Sequence, residues 1–247
     1  MDLGLKAIWY DLPARNAEEY LNWLHEEYLP AIIRLPGHLW AAHYKITGGG
    51  ARLYDDASDR FARADETEVG GGKDYLLLVG AGSPHVFFLP CRGEREIEED
   101  ARTRKMKAGW AGARTCVFAE EARVNGPEYD QKVPSGTPGP AIQMGSFRTR
   151  TVADEFDLAA WYAQYRLPAM ARMPGCIATR KLLSVAGWAK HSVLYEFTSL
   201  AARQSHFHHH ESLGLDQSVW TNKIINYTIH APGSPSVGQR IWPQVSR

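Results

Sequence analysis

The sequence predicts an α+β chain made of two similar units in tandem, and three observations carry that prediction. The first is an internal repeat. Residues 21–37, LNWLHEEYLPAIIRLPG, align without a gap on residues 159–175, AAWYAQYRLPAMARMPG, at a spacing of 138. Trp23 falls on Trp161, Leu29-Pro30-Ala31 on Leu167-Pro168-Ala169, Arg34 on Arg172, and Pro36-Gly37 on Pro174-Gly175. Solenoid periods span only a few tens of residues, so this spacing marks a duplicated domain. The second observation is that each half reads in the order β-α-β-β-α-β. The third is the run VPSGTPGP at 133–140, whose proline and glycine neither helix nor strand tolerates. At 247 residues the chain has room for two ordinary domains.

The elements follow in order. LKAIWYDL (5–12) is bulky and β-prone and reads as a strand. Asn16 is a suitable helix N-cap, with Glu18 and Glu19 in the first turn where acidic groups suit the dipole. Tyr20, Trp23, Leu24 and Tyr28 recur at helical spacing as far as Ile33, and Pro36-Gly37 stops the helix. His38 to Thr47 reads as a strand, followed by a long polar loop bracketed by glycine triplets at 48–50 and 70–72, which read as hinges of a flap. DYLLLVGAG (74–82) is the third strand, 93–112 a charged helical stretch, and RTCVFAEEARV (114–124) the closing strand. Beyond the linker the pattern repeats. Residues 141–150 read as a strand, 153–173 as a helix, 176–185 and 191–197 as strands, 199–214 as a helix, and KIINYTIH (223–230) as the last strand. The final segment has no obvious period, and its Trp242 is expected to tuck into a surface groove.

Each half is thus a split βαβ, ferredoxin-like unit with helices on one face of a four-stranded sheet. Its other face, with Ile8, Leu76, Leu78, Met144 and Val193, needs a cover, and packing the two sheets face to face supplies it. The expected boundaries are 1–132 and 141–232 for the two units, 133–140 for the linker, and 233–247 for a tail on the surface.

Composition narrows the function classes. Lys plus Arg and Asp plus Glu both number 28, giving zero formal net charge and no basic stripe, so nucleic acid and membrane surfaces are not expected partners. The balance gives little colloidal repulsion, and a homodimer would be unsurprising. Cys91, Cys116 and Cys176 form no metal or disulfide pattern, and the N-terminus lacks signal-peptide features, so a cytoplasmic location is expected. The P-loop, GxGxxG, GxSxG and HExxH patterns are all missing, which removes most nucleotide-dependent and serine-hydrolase chemistry.

The W…EE-x-LP…R-x-PG run that ends the first helix resembles the dimeric α/β-barrel superfamily, and within it the EthD-like and muconolactone-isomerase-like groups, which carry WY-x-E-H-x-P…PGF at this place. The resemblance implies a pseudo-dimeric α/β barrel within one chain. Cofactor-free monooxygenases, lactone isomerases, polyketide cyclases, lyases and haem enzymes all use that fold, so it does not by itself choose a reaction. Where those families place a histidine, this chain has Tyr28 in one copy and Arg166 in the other. The two halves therefore carry different side chains at the position expected to face a cavity.

Candidate chemistry gathers there. His25 and Tyr28 stand one helical turn apart and could form an acid/base pair, or be a solvated imidazole and a core aromatic. His43 and Tyr44 lie on opposite faces of the second strand, and either could look at the helices. Tyr165 and Arg166 could bind a carboxylate or an enolate oxygen, or make a surface ion pair. His206 and His210 have the i, i+4 spacing of a metal or haem ligand pair, with Glu211 adjacent, but two ligands do not make a site. The parts point to a cofactor-independent isomerase, cyclase or lyase moving a proton on a small apolar or aromatic oxygenated molecule, with no metal. A non-catalytic binding protein and a haem- or metal-dependent oxygenase are the other readings.

Overall fold

A computed structural model of the protein describes residues 1–13, 15–49, 61–89, 92–132, 136–208 and 220–245. Ten strands occur among them. In the first half they are β1 (Gly4–Asp11), β2 (His38–Gly49), β3 (Ala62–Arg63), β4 (Tyr75–Ala81) and β5 (Ala111–Asn125). In the second they are β6 (Ala141–Thr149), β7 (Cys176–Ala186), β8 (His191–Phe197), β9 (Thr228–His230) and β10 (Ser236–Trp242). Eight of these form one antiparallel sheet in the order β10-β2-β4-β1-β5-β7-β8-β6, and β6 pairs with β10 to close it as a barrel. The short strands β9 and β3 extend the β6 edge, with β3 parallel to β9.

Two strands stitch the halves together. The start of β5 pairs with β1 and its end with β7, from Val117↔Ala186 to Asn125↔Ala178. In the same way β10 pairs with β6 through Ser236↔Met144 and with β2 through Ser236↔Gly49. The segment 233–247, expected as a surface tail, therefore supplies the closing strand. Its pairing partners lie far away in sequence, and its own glycine and arginine hide the strand pattern.

Alternation along the strands sorts side chains between barrel interior and helix side. The interior cluster holds Leu5, Ala7, Trp9, Trp40, Ala42, Tyr44, Leu76, Leu78 and Met144, while Ile8 packs with the first half's helices and Val193 with the second's. Ile8 and Val193 thus leave the inter-sheet face on which the sequence reading put them. Because both faces are buried, the strands are near-continuously apolar and the pattern alone does not choose a side.

The two repeated helices share an irregularity. The first runs as α-helix over Ala17–Trp23, a π-helical turn over Leu24–Tyr28 and a final α-turn over Leu29–Ile32. Its counterpart has the same three parts: Val152–Trp161, Tyr162–Arg166 and Leu167–Met170. The cause is Pro30 and Pro168, which carry no N–H and whose rings would crowd the carbonyl four residues back. The turn ahead of each widens, so that Leu29 N–H bonds the Leu24 carbonyl and Leu167 N–H that of Tyr162, five residues back. Asn16 stands at the first helix's N-cap but makes no side-chain cap; its backbone is left-handed, at φ 71°, which asparagine tolerates better than most residues.

Other boundaries shift. Residues 223–227, read as strand, belong to the helix Trp220–Tyr227, and only Thr228–His230 is extended. The 93–112 stretch splits into Arg92–Glu99 and Ala101–Lys107, with the Asp100 carboxylate accepting from Thr103 N–H at the break. The glycines at 70–72 are packed instead of hinged: a Cβ on Gly72 would lie 2.5 Å from Tyr10 Cα, and Gly72 N–H bonds the Gly112 carbonyl. The flap loop 50–60 and linker residues 133–135 lie outside the described residues. Among the described residues no helix is long and apolar enough to cross a membrane. Cys116 and Cys176 are free, buried thiols.

A buried ion pair and a backbone hydrogen bond fasten Lys132 and Gly139 to β8. Glu196, fully buried on β8, accepts from Lys132 Nζ at 3.0 Å and from Gly139 N–H at 2.9 Å. Glu196→Ala strands the Lys132 ammonium and an amide, and is expected to lower stability by about 3–5 kcal/mol. Chemical denaturation of the variant beside the parent protein measures it.

Candidate functional site

On the helix side of the first half the side chains form one hydrogen-bonded chain. Trp110 Nε1–H donates to Tyr20 Oη, and Tyr20 O–H donates to Tyr10 Oη at 3.3 Å. Tyr10 Oη lies 2.8 Å from His43 Nε2, and His43 Nδ1 lies 2.8 Å from His25 Nε2. An indole only donates, so the Tyr20 oxygen accepts from Trp110 while its own O–H goes to Tyr10. The Tyr10–His43 and His43–His25 hydrogen bonds run in the same direction, and the His43 tautomer sets which way. Tyr75 and Trp110 stack on Tyr10 with ring centroids 5.6 and 4.7 Å away, and Trp242 from β10 stacks on His25. Burial raises the Tyr10 and Tyr20 phenols well above their usual range, lowers His43 well below it, and brings His25 down to about 4. All four groups are neutral at pH 7.

Tyr28 lies apart from this chain. Its hydroxyl donates to Glu98 Oε1 at 2.6 Å and accepts from Lys107 Nζ at 2.8 Å, so His25 and Tyr28 share a π-helical turn but make different contacts. Tyr44 faces the barrel interior and donates to the Gly139 carbonyl at 2.9 Å, away from the helices. His43 is therefore the member of the 43–44 pair that looks at the helices.

The second half fills the matching space differently. At the spacing of 138, Arg166 replaces Tyr28 and Lys181 replaces His43. Arg166 is buried, with its guanidinium 4.8 Å from the Trp161 ring centroid and 5.4 Å from that of Phe207. Beside it lies a crevice bounded by Gln143, Phe147, Trp161, Tyr162, Tyr195 and His230. About 80 Å³ there is open to the centres of water-sized molecules. At roughly 10–15 Å³ per water this holds about half a dozen, the bulk of one small aromatic ring. The His230 ring sits between Phe61 and Phe147, at 4.3 and 5.3 Å. Deeper along the sheet, Lys181 Nζ lies 3.2 Å from His191 Nδ1 and 3.1 Å from Glu121 Oε2, and burial brings His191 down to about 3.

Of the sequence candidates, the fold brings His25 and His43 into contact and sets Arg166 on the crevice. Tyr165 is half-exposed beside Trp161, and His206 is exposed. His210 and Glu211 lie outside the described residues, and among the described residues no group of three or more His, Cys, Asp or Glu could hold a metal. Sequence reading missed Lys181, His191 and His230. The repeat contained a signal for the first, since carrying the spacing of 138 from the helix into the following strand leads from His43 to Lys181.

No protein-family model matches the chain, and no curated protein matches it in sequence. Solved structures match over nearly its whole length. A putative monooxygenase from Fusobacterium nucleatum is 9% identical, with 96% of this chain and 92% of that chain covered and a TM-score of 0.56. An anthrone oxidase-like protein is 12% identical, with 96% and 90% covered and a TM-score of 0.56. A dye-decolorizing peroxidase from Bacteroides thetaiotaomicron is 9% identical, with 97% and 93% covered and a TM-score of 0.55. The chain has the α+β barrel fold of these proteins, here closed within a single polypeptide.

The expectation of a cofactor-independent isomerase, cyclase or lyase is corrected here. The similar structures are named for oxidative enzymes, and the His25–Tyr28 acid/base pair on which proton transfer would have relied is not formed.

The lowered His25 fixes the sign of a pH effect. Its folded pKa of about 4 lies below the ordinary histidine value, so between about 6.5 and 4 the unfolded chain takes up a proton that the native chain refuses. Stability is full above about 6.5 and falls as pH drops toward 4, and His25→Gln should flatten that slope. Thermal melts across this pH range, for parent and variant, measure it.

Proposed function

We propose that the chain is an oxidative enzyme, an oxygenase or peroxidase in reaction class, which takes a small aromatic, oxygen-bearing molecule into the second-half crevice. The observation that carries this reading is the contrast between matched sites. One is filled by Tyr10, Tyr20, Tyr75 and Trp110, whereas the other leaves a ring-sized space walled by aromatics beside a buried guanidinium. The oxidative names among proteins of the same fold support the reaction class. Arg166 keeps its charge at any working pH and would hold a phenolate or enolate oxygen, the form of such a molecule that gives up an electron most readily. Trp161, Tyr162 and Tyr195 would position its ring and exclude water. We read the scaffold as two tandem ferredoxin-like units, 1–132 and 141–232, joined by 133–140, with β10 added to the second. Both have their four long strands in one order, β2-β4-β1-β5 and β7-β8-β6-β10. The finer likeness to EthD-like sequences rests on 21–37 and 159–175.

Haem is the cofactor this reaction class raises. The donor chemistry is present, with the His230 imidazole on the wall and Arg166 suited to a carboxylate, but a tetrapyrrole is several times the bulk of one aromatic ring. The described residues do not accommodate it in this arrangement.

The test is oxygen uptake and peroxide-dependent oxidation of simple phenols, on protein as purified and after addition of hemin. Turnover is expected, falling about ten- to a hundredfold in Arg166→Met as a charged hydrogen bond is lost, with partial recovery in Arg166→Lys and melting curves confirming that both fold. No oxidation in either sample, or equal rates in the folded variants, would overturn the proposal. A Soret band abolished by His230→Ala would mean that the crevice opens on binding.

A further inference from the structure

Arg114 on β5 is a buried charge with donors left unused. It is 6% exposed, and its guanidinium lies 4.8 Å over the ring of Trp9, a residue of the barrel interior. Nη1 donates to the carbonyls of Gly72 and Gly70, at 2.5 and 3.2 Å. Nε and Nη2 have no hydrogen-bond partner, and no carboxylate of the described residues pairs with the side chain. A buried cation without a paired carboxylate is heavily penalised, and the Asp11 and Glu66 carboxylates act on this one only through space, so the charge calls for a bound anion. Burial holds the guanidinium down to about 10, still charged at neutral pH.

A second observation places that anion. Arg114 borders a cavity at one end of the barrel interior, lined also by Thr115, Cys116, Ser146, Trp188 and Ala231. About 300 Å³ of it is open to the centres of water-sized molecules. Ser146 Oγ, 1% exposed, is likewise unpartnered and lines the same space. Two residues from opposite halves, each carrying a buried, unsatisfied donor, thus line one cavity with a partly apolar wall. It lies across the sheet from the Arg166 crevice and does not depend on the function proposed there.

We infer that this cavity is a binding site for a small organic monocarboxylate, seated on Arg114 and Ser146. Nε and Nη2 form the side edge of the guanidinium, whose two parallel N–H bonds match the two oxygens of a carboxylate. Glu68 stands at the rim and repels multiply charged anions, which disfavours phosphate. Burial raises the Cys116 thiol, which stays neutral and does not compete for the arginine. Trp188 and Val69 offer contact to an apolar tail.

Isothermal titration of the whole chain at neutral pH with acetate, isobutyrate and benzoate tests the site, with chloride and phosphate for comparison. Saturable binding of at least one acid is expected, weakened about tenfold in Arg114→Lys, which keeps the charge but loses the fork, and severalfold in Ser146→Ala. The inference is overturned if none of the three acids binds, which would leave a water-filled cavity. It is equally overturned if chloride or phosphate binds as tightly, or if Arg114→Lys binds like the parent. Should Arg114→Lys lose its cooperative melt, Ser146→Ala decides, and unchanged affinity there overturns the site.

Discussion

The structure depends on two strands that belong to both halves. Closing eight antiparallel strands leaves none of them with an unpaired edge, and this happens only because β5 and β10 each pair with a strand from either repeat. Closure also buries both faces of the sheet. The interior takes large side chains such as Trp9, Tyr44 and Phe118, and polar ties cross the seams: Trp9 Nε1–H donates to Ser236 Oγ at 3.1 Å and Arg240 to the Pro138 carbonyl at 2.6 Å. The N-terminus is drawn in too, since Asp2 pairs with Arg180 and Arg123 on neighbouring strands. Each helix-side space is then a fixed volume between a rigid sheet and a single layer of helices.

Within that frame the duplicated prolines do similar geometric work in both halves. Each forces a π-helical turn, which brings extra side chains toward the sheet at the same height. In one copy that turn presents His25 and Tyr28, and in the other Tyr162 and Arg166. Identical backbones therefore hold unlike chemistry. The first half uses its space for a hydrogen-bonded chain of neutral groups sealed by aromatic stacking. The second keeps charges and a ring-sized opening. The two copies of the helix and the strand that follows it differ at single positions, with Lys181 standing where the other has His43.

The sequence by itself determined the repeated helix, with its proline and its Pro-Gly stop, and most of the helix and strand order up to residue 197, since these rest on local periodicity and on residues with restricted backbones. It also marked the end of the repeated helix, where His25, Tyr28 and Arg166 lie, as the place where the halves differ. Tertiary structure decided the rest. KIINY is helical because Ile224 and Tyr227 pack into the second-half core, and SVGQRIW is a strand because β2 and β6 offer unsatisfied edges on both sides. The faces of Ile8 and Val193, the separation of His25 from Tyr28, and the isolation of Arg114 depend on partners far away in the chain. Strand pairing and burial are non-local, and a strand buried on both faces carries no alternation from which its orientation could be read.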